Sequence, residues 1–312
     1  PMDLATEPHI LAIGEALIDI VTPISHPEDA REIPGGSPAN VAMTLGRLGR
    51  PAVLSTWFAD DERGRLIEEH FTASRVVITP ESHGAQRTTT ATAMIDEKGA
   101  ATYTFDFDWN PTPPIPVSEM ALIVHAGSIS AAVEPGASAV FEAVKDARPH
   151  ALITFDPNAR PTVMGDPDNA LKLVERFVTV SDVIKVSDED IAWLTGGAEL
   201  ESVIEKWLSM GPRLIIVTRG KKGGLAVSAS GIRYEATPGE VKVVDTVGAG
   251  DSFMGGILDA MWGLGLAGTE GRSALENIGL DAVKTILDHA SKVSDVTVSR
   301  AGANPPWADE LD

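Results

Sequence analysis

The chain has 312 residues, of which 43% are hydrophobic and 22% charged, values that are ordinary for a globular protein of one or two domains. Its formal net charge of -20 repels nucleic acid and anionic lipid, so we expect neither as a partner. The absence of cysteine excludes disulfides, thiol catalysis and cysteine-bound zinc. The opening PMDLATEPHILAIG lacks a secretory signal pattern, and no apolar run has the length of a membrane span, so we expect a cytoplasmic protein without a membrane partner.

The first part of the chain alternates between strand-like and helix-like patterns. Buried-strand patterns occupy 9–14, 16–21 and 52–57. Pro38 opens a helix of small and apolar residues, because proline suits the first helical turn. The run 62–71 has the amphipathic spacing of a surface helix. These elements predict the beginning of an α/β domain.

Residues 87–107 interrupt this alternation. Two runs rich in β-branched and aromatic residues flank 96–99 (DEKG), which predicts a hairpin. The proline-rich run 108–116 then returns the chain to the alternating pattern. We therefore predict a small β-sheet lid, formed by about 15–34 and 87–110, that stands off the main body.

The second half predicts a parallel sheet. Apolar strand patterns recur, each joined to the next by a helix-like segment, at 121–127, 150–156, 182–187 and 213–220. A hairpin at 224–237 and two long helices at 250–264 and 270–291 complete the chain. Strands that alternate with helices form a parallel sheet covered on both faces. We predict an α/β fold with a central, mostly parallel sheet, helices on both faces and the β lid inserted, as one domain over 1–312.

The run DTVGAGDSF (245–253) directly precedes one of these helices. Glycines let backbone amides approach a ligand, and the first amides of a helix are unpaired and partly positive. Gly248, Ala249 and Gly250 therefore suit an anion such as phosphate. Asp251 beside that anion suits a base that accepts a proton from an attacking hydroxyl. The alternative is a tight turn followed by a capping carboxylate.

A second motif, GGSPANVA (35–42), lies about two hundred residues upstream. On its own it is compatible with a turn and a helix start. Together the two motifs resemble the paired signatures of the ribokinase-like (PfkB-type) carbohydrate kinase family. The resemblance spans nearly the whole chain, and GEALID (14–19), DPNARP (156–161) and SRAGANPP (299–306) are most similar to bacterial fructokinases.

The resemblance implies transfer of a phosphoryl group from ATP to a primary hydroxyl of a small sugar that lies between the α/β body and the lid. It assigns the base to Asp251 and the anion hole to 248–250. The residues that it places on the sugar are Asp19, Gly35, Gly36, Asn40 and Asn158. Arg160 is placed on the substrate or the transferred phosphate, with a surface ion pair as the alternative.

The resemblance also implies a nucleotide and metal side. The residues placed at the nucleotide are Lys185, Ser187, Thr218, Gly220, Gly223 and Asn304. Where the family commonly has Asn-x-x-Glu at its magnesium site, this chain has Ser-Asp-Glu-Asp (187–190), so either Glu189 or Asp190 would support Mg²⁺. Asp245 is a candidate near a monovalent-cation site, with K⁺ as the expected ion. Paired lids in the family imply a homodimer through the lid.

Three alternatives stay open. GLGLAG (263–268) matches the glycine pattern of dinucleotide-binding oxidoreductases, but it follows a helix-like run instead of a strand, so we interpret it as a helix end. A sugar sensor without catalysis would have no need for Asp251. Within the kinases, fructose is our preferred substrate, and ribose, 2-keto-3-deoxygluconate and nucleosides are the rivals.

Overall fold

The computed structural model describes residues 1–312 and contains thirteen strands and ten helices. The strands are β1 (His9–Ile13), β2 (Leu17–Pro23), β3 (Arg31–Gly35), β4 (Ala52–Ser55), β5 (Val77–Ile78), β6 (Thr90–Ile95), β7 (Ala101–Asp106), β8 (Ala121–Gly127), β9 (Leu152–Asp156), β10 (Val183–Ser187), β11 (Leu214–Thr218), β12 (Leu225–Ser228) and β13 (Arg233–Glu235). The helices are α1 (Ser37–Arg47), α2 (Glu62–Thr72), α3 (Gly136–Ala147), α4 (Pro161–Met164), α5 (Pro167–Val178), α6 (Asp188–Thr195), α7 (Leu200–Ser209), α8 (Ala249–Gly263), α9 (Gly268–Glu276) and α10 (Leu280–Val298).

Nine strands form the body sheet, in the order β13-β12-β11-β10-β9-β8-β1-β4-β5. All neighbours are parallel except β11 with β12 and β12 with β13. Adjacent residues of one strand enter different cores: Leu152 packs in one apolar cluster and Ile153 in the other, and both are fully buried. This burial on both faces explains the continuous apolar runs of the sequence, and it confirms the predicted parallel sheet with helices on both faces.

The other four strands form a separate sheet in the order β3-β2-β6-β7, which confirms the predicted second, smaller sheet. Its hairpin of β6 and β7 turns at residues 96–100, where Asp96 accepts hydrogen bonds from the amides of Lys98 and Ala100. Four connections join this lid sheet to the body. They are residues 14–16, Gly36, the run 79–89 and the run 107–120.

Several elements differ from the sequence prediction. The single helix predicted over 270–291 is two helices, because Asn277 leaves the helical conformation, Ile278 packs into the core and Gly279 precedes α10. α10 also continues to Val298. Strands β3 and β5 were not predicted, since β3 is mostly exposed and contains Pro34, and β5 has only two residues. No helix is long and apolar enough to cross a membrane.

Candidate functional site

The carboxyl ends of the body strands face the start of α8, and a buried ion pair lies between them. Nζ of Lys185 is 3.0 Å from Oδ2 of Asp156, and the two residues are 4% and 1% exposed. Burial by itself would lower the pKa of Lys185, but Asp156, with help from Asp251 and Asp190, raises it above its usual range. A Cβ at Gly250 would lie 3.1 Å from this ammonium group. Lys185 is therefore a charged lysine directly below the tip of α8.

Asp251 lies in the first turn of α8 and is 8% exposed. The Ser37 hydroxyl donates to its Oδ1 at 2.6 Å, and the Asn40 amide donates to its Oδ2 at 3.0 Å. Burial raises the pKa of Asp251, and these two hydrogen bonds offset part of that rise. The residue that caps α8 is Gly248, so Asp251 bonds α1 and does not cap its own helix. Ser37, which sequence reasoning did not single out, and Asn40 thus orient the carboxylate.

The loop before Asp251 has the backbone geometry that an anion site needs. Gly248 is left-handed, with φ 76°. A Cβ on it would lie 2.7 Å from the Cβ of Ala303, so glycine is required there for conformation and for space. The amides of Gly250 and Asp251 have no backbone acceptor, as expected for the first turn of a helix. Free amides, the helix dipole and the Lys185 ammonium together favour negative charge at this point.

Asp190 is the candidate magnesium ligand that the structure brings to this cluster. Its Oδ2 accepts a hydrogen bond from the Ala159 amide at 2.9 Å, and its own amide donates one to the Ser187 hydroxyl oxygen. Burial raises the pKa of Asp190 to about 6, and the Asp156 carboxylate adds to the rise. Glu189 is exposed and points to no other site residue. The choice between Glu189 and Asp190 therefore falls on Asp190 by position.

Asp19 of β2 and Gly35 of β3 are diagonal neighbours in the lid sheet, where the register pairs Gly35 with Leu17 and Asp19 with Ile33. A Cβ at Gly35 would lie 2.6 Å from Oδ2 of Asp19. The residue as a whole is exposed, but partial burial of its carboxyl group raises the pKa of Asp19, and the charge of Arg160 opposes that rise. Gly36, with φ 108°, presses against the backbone carbonyl of Glu15, where a Cβ would come within 2.3 Å. Gly35 thus leaves room for the Asp19 carboxylate, and Gly36 allows close contact with the backbone of Glu15.

Two further candidates follow β9. Asn158 has a positive φ of 38°, and its Nδ2 donates to the Ser128 hydroxyl at 3.2 Å. Ser128 has a positive φ of 63° as well. Such conformations are uncommon outside glycine and concentrate at functional sites. Arg160 is exposed, and its guanidinium forms no ion pair within the chain. Its charge acts on Asp19 and on Glu15.

Glu15 is the site residue that sequence reasoning missed. It is 3% exposed, and neither carboxylate oxygen has a hydrogen-bond partner of normal geometry. Burial raises its pKa to about 7, and the neighbouring Ser128 hydroxyl opposes the rise. A signal was present in GEALID, where a glutamate follows directly on a buried strand. Only Asp19 of that motif was assigned.

Three of the nucleotide-side candidates lie at the end of β11 and in the turn that follows it. Thr218 ends β11, and the turn with Gly220 and Gly223 follows it; a Cβ at Gly223 would lie 2.7 Å from the Ala236 carbonyl oxygen. A cavity of about 450 Å³ is adjacent, between the loop that follows β13 and α10. Its lining includes Thr237, Gly239, Val241, Ser291 and Asp295. Ser294, next to that lining, donates to the carbonyl of Ala249. This cavity therefore borders the anion loop, whereas a larger one of about 580 Å³, between α3 and 110–117, contains none of the site residues.

Two of the predicted site residues form hydrogen bonds with other parts of the protein. The side-chain oxygen of Asn304 accepts a hydrogen bond from Arg47 on α1 at 2.5 Å, so this oxygen already has a partner within the protein. Asp245 accepts from the amides of Val247 and Gly302 and so ties the loop before α8 to the loop after α10. These hydrogen bonds lower its pKa. Its carboxylate therefore links these two loops by hydrogen bonds.

Replacement of Gly35 by Ala is expected to raise the KM for the acceptor substrate about tenfold or more, because the new methyl group displaces the Asp19 carboxylate. The backbone of Gly35 is not left-handed, so the change acts through space and not through φ. Steady-state kinetics measure this. Gly279→Ala, where a Cβ meets nothing within 4 Å, is the matched control. An unchanged KM in Gly35→Ala would remove Asp19 from the binding site.

Comparison with known proteins agrees with this geometry. The sequence pattern of the pfkB family carbohydrate kinases matches residues 7–309. A fructokinase of Klebsiella pneumoniae is 30% identical over 319 residues, which cover 97% of each chain. A fructokinase of Xylella fastidiosa, solved with bound ATP, superposes with a TM-score of 0.80 at 25% identity over 97% of each chain. A fructokinase variant of Vibrio cholerae, solved with fructose, ADP and a potassium ion, superposes with a TM-score of 0.74 at 24% identity over 97% of this chain and 95% of that one. The protein belongs to the pfkB family of carbohydrate kinases and is a phosphotransferase that acts on a sugar.

Proposed function

We propose that this sugar kinase transfers the γ-phosphoryl group of ATP to a primary hydroxyl of a neutral sugar, with fructose as the preferred substrate. The acceptor oxygen bonds to the γ-phosphorus, the bond from that phosphorus to the β-γ bridging oxygen breaks, and ADP leaves. The acceptor proton passes to Asp251. The observation that carries this proposal is the buried Asp251 carboxylate, fixed by Ser37 and Asn40 beside the unpaired amides of the α8 tip.

Asp251 suits the role of base for two reasons. The raised pKa makes it a stronger proton acceptor than an exposed aspartate, and Lys185 opposes that rise, which helps to keep it ionised. The hydrogen bonds from Ser37 and Asn40 leave lone pairs on the carboxylate for the incoming hydroxyl. The amides of Gly250 and Asp251 and the Lys185 ammonium would stabilise the charge on the transferred phosphoryl group.

The position of the nucleotide follows from the same tip. With the terminal phosphates at 248–250, the cavity beside Ser294 and Ala249 accommodates the base, between α10 and the loop that follows β13. Mg²⁺, when bound, would neutralise phosphate charge, and the Asp190 carboxylate is the group we assign to hold it through water. The pKa of about 6 leaves Asp190 mostly ionised at neutral pH, as a metal ligand must be. We also propose a K⁺ site near Asp245, on the precedent of the Vibrio cholerae enzyme.

The lid sheet favours a neutral sugar over a sugar acid. Beside Asp19, the strand register places Ile33 on one side and Ala91 on the other, and Phe105 follows Ala91. The cation that acts on Asp19 is Arg160. Arg87 of the lid is already bonded to Asp106 and to the Phe107 carbonyl. A substrate carboxylate would therefore meet an anionic and largely apolar surface on which Arg160 is the cation that acts on Asp19.

Fructose is accordingly expected to give a kcat/KM at least about tenfold above that of 2-keto-3-deoxygluconate, the factor that corresponds to about 1.4 kcal/mol. An ADP-release assay over fructose, tagatose, ribose, 2-keto-3-deoxygluconate and adenosine measures this. A preference for adenosine would overturn the fructokinase assignment and leave the kinase assignment in place. Higher activity on the sugar acid would contradict the argument from the lid surface.

We further propose that two copies associate through their lids. Tyr103, Phe105 and Phe107 stack in a row, with ring centroids 6.3 and 5.4 Å apart. The register places this row on the face that carries Ile33 and Asp19, so the lid of a second copy would border the proposed sugar site. Ile33 and Tyr103 are 45% and 55% exposed. Exposed apolar surface on a sheet with two open edge strands favours an interface. A monomeric mass in sedimentation at micromolar concentration would contradict this.

A further inference from the structure

Glu15 is a buried carboxyl group for which the proposed chemistry has no use. It lies in the link of residues 14–16 between β1 of the body and β2 of the lid. It is 3% exposed, and neither of its oxygens has a hydrogen bond of normal geometry, although the Ser128 hydroxyl and the Ser130 amide lie close enough to lower its pKa. A buried polar group without a partner costs about 1–3 kcal/mol, so a fold keeps one only where something else requires it. The location at the lid connection indicates what that requirement is.

The surroundings of Glu15 contain one charged group that acts on it, the guanidinium of Arg160. The Ser128–Ala131 turn contributes hydroxyl and backbone groups only, and the second lid connection presses Gly36 against the Glu15 carbonyl. Arg160 itself has no ion-pair partner and is exposed. Asn158, two residues before Arg160, donates to the same Ser128 hydroxyl that acts on Glu15, so a buried acid without an ion pair lies close to an exposed cation without an ion pair at the lid connection.

We propose that Glu15 is a positioning residue, which captures the guanidinium of Arg160 when the lid closes on the sugar and releases its proton to solvent as it does so. Arg160 has five N–H donors, so an edge held by Glu15 leaves other donors free for the substrate. The inference rests on the proposed sugar site between Asp19 and Arg160. We assign no sugar contact to Glu15, because both of its oxygens are buried.

This coupling predicts the sign of the pH dependence. In this structure, burial raises the pKa of Glu15 to about 7, although the charge of Arg160, without direct contact, already opposes the rise. The approach of Arg160 lowers it, because a positive neighbour favours the carboxylate. Below pH 7, closure must therefore expel a proton, whereas above it the carboxylate is already formed. The KM for the sugar falls as the pH rises towards 7 and then reaches a plateau.

The test compares wild type with Glu15→Gln, which keeps the shape but cannot ionise. With D-fructose between pH 5.5 and 8.5, we expect the variant to have a KM about tenfold higher at pH 8, a kcat changed less than threefold, and no break in KM near pH 7. Glu119→Gln, at an exposed residue without an ion pair, is the control for the loss of one carboxylate. A break near pH 7 that persists unchanged in Glu15→Gln overturns the inference.

A double-mutant cycle decides whether Glu15 acts through Arg160. If it does, adding Glu15→Gln to Arg160→Met leaves the KM of Arg160→Met within about twofold, since the partner is already absent. Multiplicative effects of the two changes would show independent roles and overturn the inference. Thermal unfolding of each variant shows whether it is folded under the assay conditions.

A second measurement on wild-type protein does not depend on the sugar or on the variants' folding. The ¹³C carboxyl resonance of Glu15 in glutamate-labelled, ligand-free protein is expected to titrate near pH 7. A midpoint below about 5, in the range of an ordinary glutamate, overturns the inference. If fructose is not phosphorylated, the proposed substrate is wrong, and this titration still decides the state of Glu15.

Discussion

Replacement of Asp251 by Asn is expected to lower kcat by about 10²–10⁴-fold, the usual contribution of a general base, while ATP and the sugar still bind. Asparagine retains the size of the side chain and can keep one acceptor for Ser37, but it cannot take the proton of the acceptor hydroxyl. Single-turnover kinetics with isolated binding measurements separate the two effects. A kcat within threefold of wild type would remove Asp251 from the chemistry.

Asp281→Asn is the matched control, because Asp281 is a carboxylate in the first turn of α10 and is exposed. If Asp251 served only the helix dipole, the two variants would behave alike, each losing a few tenths to about 1 kcal/mol of stability and little activity. The structure predicts different behaviour. Only Asp251 is buried at the junction of α1 and α8.

The stability of Asp251→Asn should change in the opposite direction from its activity. The pKa of Asp251 is raised in the folded protein, chiefly by burial. The folded state therefore binds the proton more tightly than the unfolded chain does, and the ionised carboxylate costs stability once the pH exceeds about 4. The free energy of unfolding of the variant should exceed that of wild type by more at pH 8 than at pH 4. Urea unfolding at both pH values measures this.

The sequence predicted those features that depend on neighbouring residues and missed those that depend on tertiary contacts. The sheet, its parallel strands and the start of α8 depend on periodicity and on glycine spacing within a few residues, and these structural predictions were correct. The break between α9 and α10 was missed, because the burial of Ile278 is a tertiary effect that overrides a helical pattern. Short exposed strands such as β5 leave almost no pattern at all.

Hydrogen bonds between residues that lie far apart in the sequence could not be predicted from local sequence patterns. Asn40 was predicted to contact the sugar, but its hydrogen bond to Asp251, which lies 211 residues further along the chain, was not predicted. Asn304 and Asp245 were chosen by motif, but only folding shows that Arg47 and two loop amides occupy them. Glu15 differs, since its type and its position after a buried strand were visible, while its lack of a partner was not.

Lys185→Met is the second change with a large expected effect, because it leaves the buried Asp156 without its cation. Removing one partner of a buried ion pair costs about 3–5 kcal/mol of stability. We also expect kcat/KM to fall by about 10²-fold or more, because the ammonium lies below the α8 tip, where phosphate charge develops. Urea unfolding and steady-state kinetics measure the two losses separately.

Lys206→Met is the control for the loss of an ion pair as such. Nζ of Lys206 is 3.0 Å from Oε2 of Glu175, the same separation as in the buried pair, but the Lys206 side chain is 57% exposed. Solvent screens this pair, so its loss should cost less than about 1 kcal/mol and leave kcat unchanged. Equal destabilisation by Lys185→Met and Lys206→Met would mean that water reaches Asp156, contrary to its burial.

The double variant Lys185→Met/Asp156→Asn separates structure from chemistry. With both charges removed, no uncompensated ion remains buried, so much of the stability lost in Lys185→Met should return. Activity should not return, because neither asparagine nor methionine supplies positive charge at the anion loop. If activity recovered together with stability, Lys185 would be needed only to neutralise Asp156, and the backbone amides of the α8 tip would have to carry the phosphate charge alone.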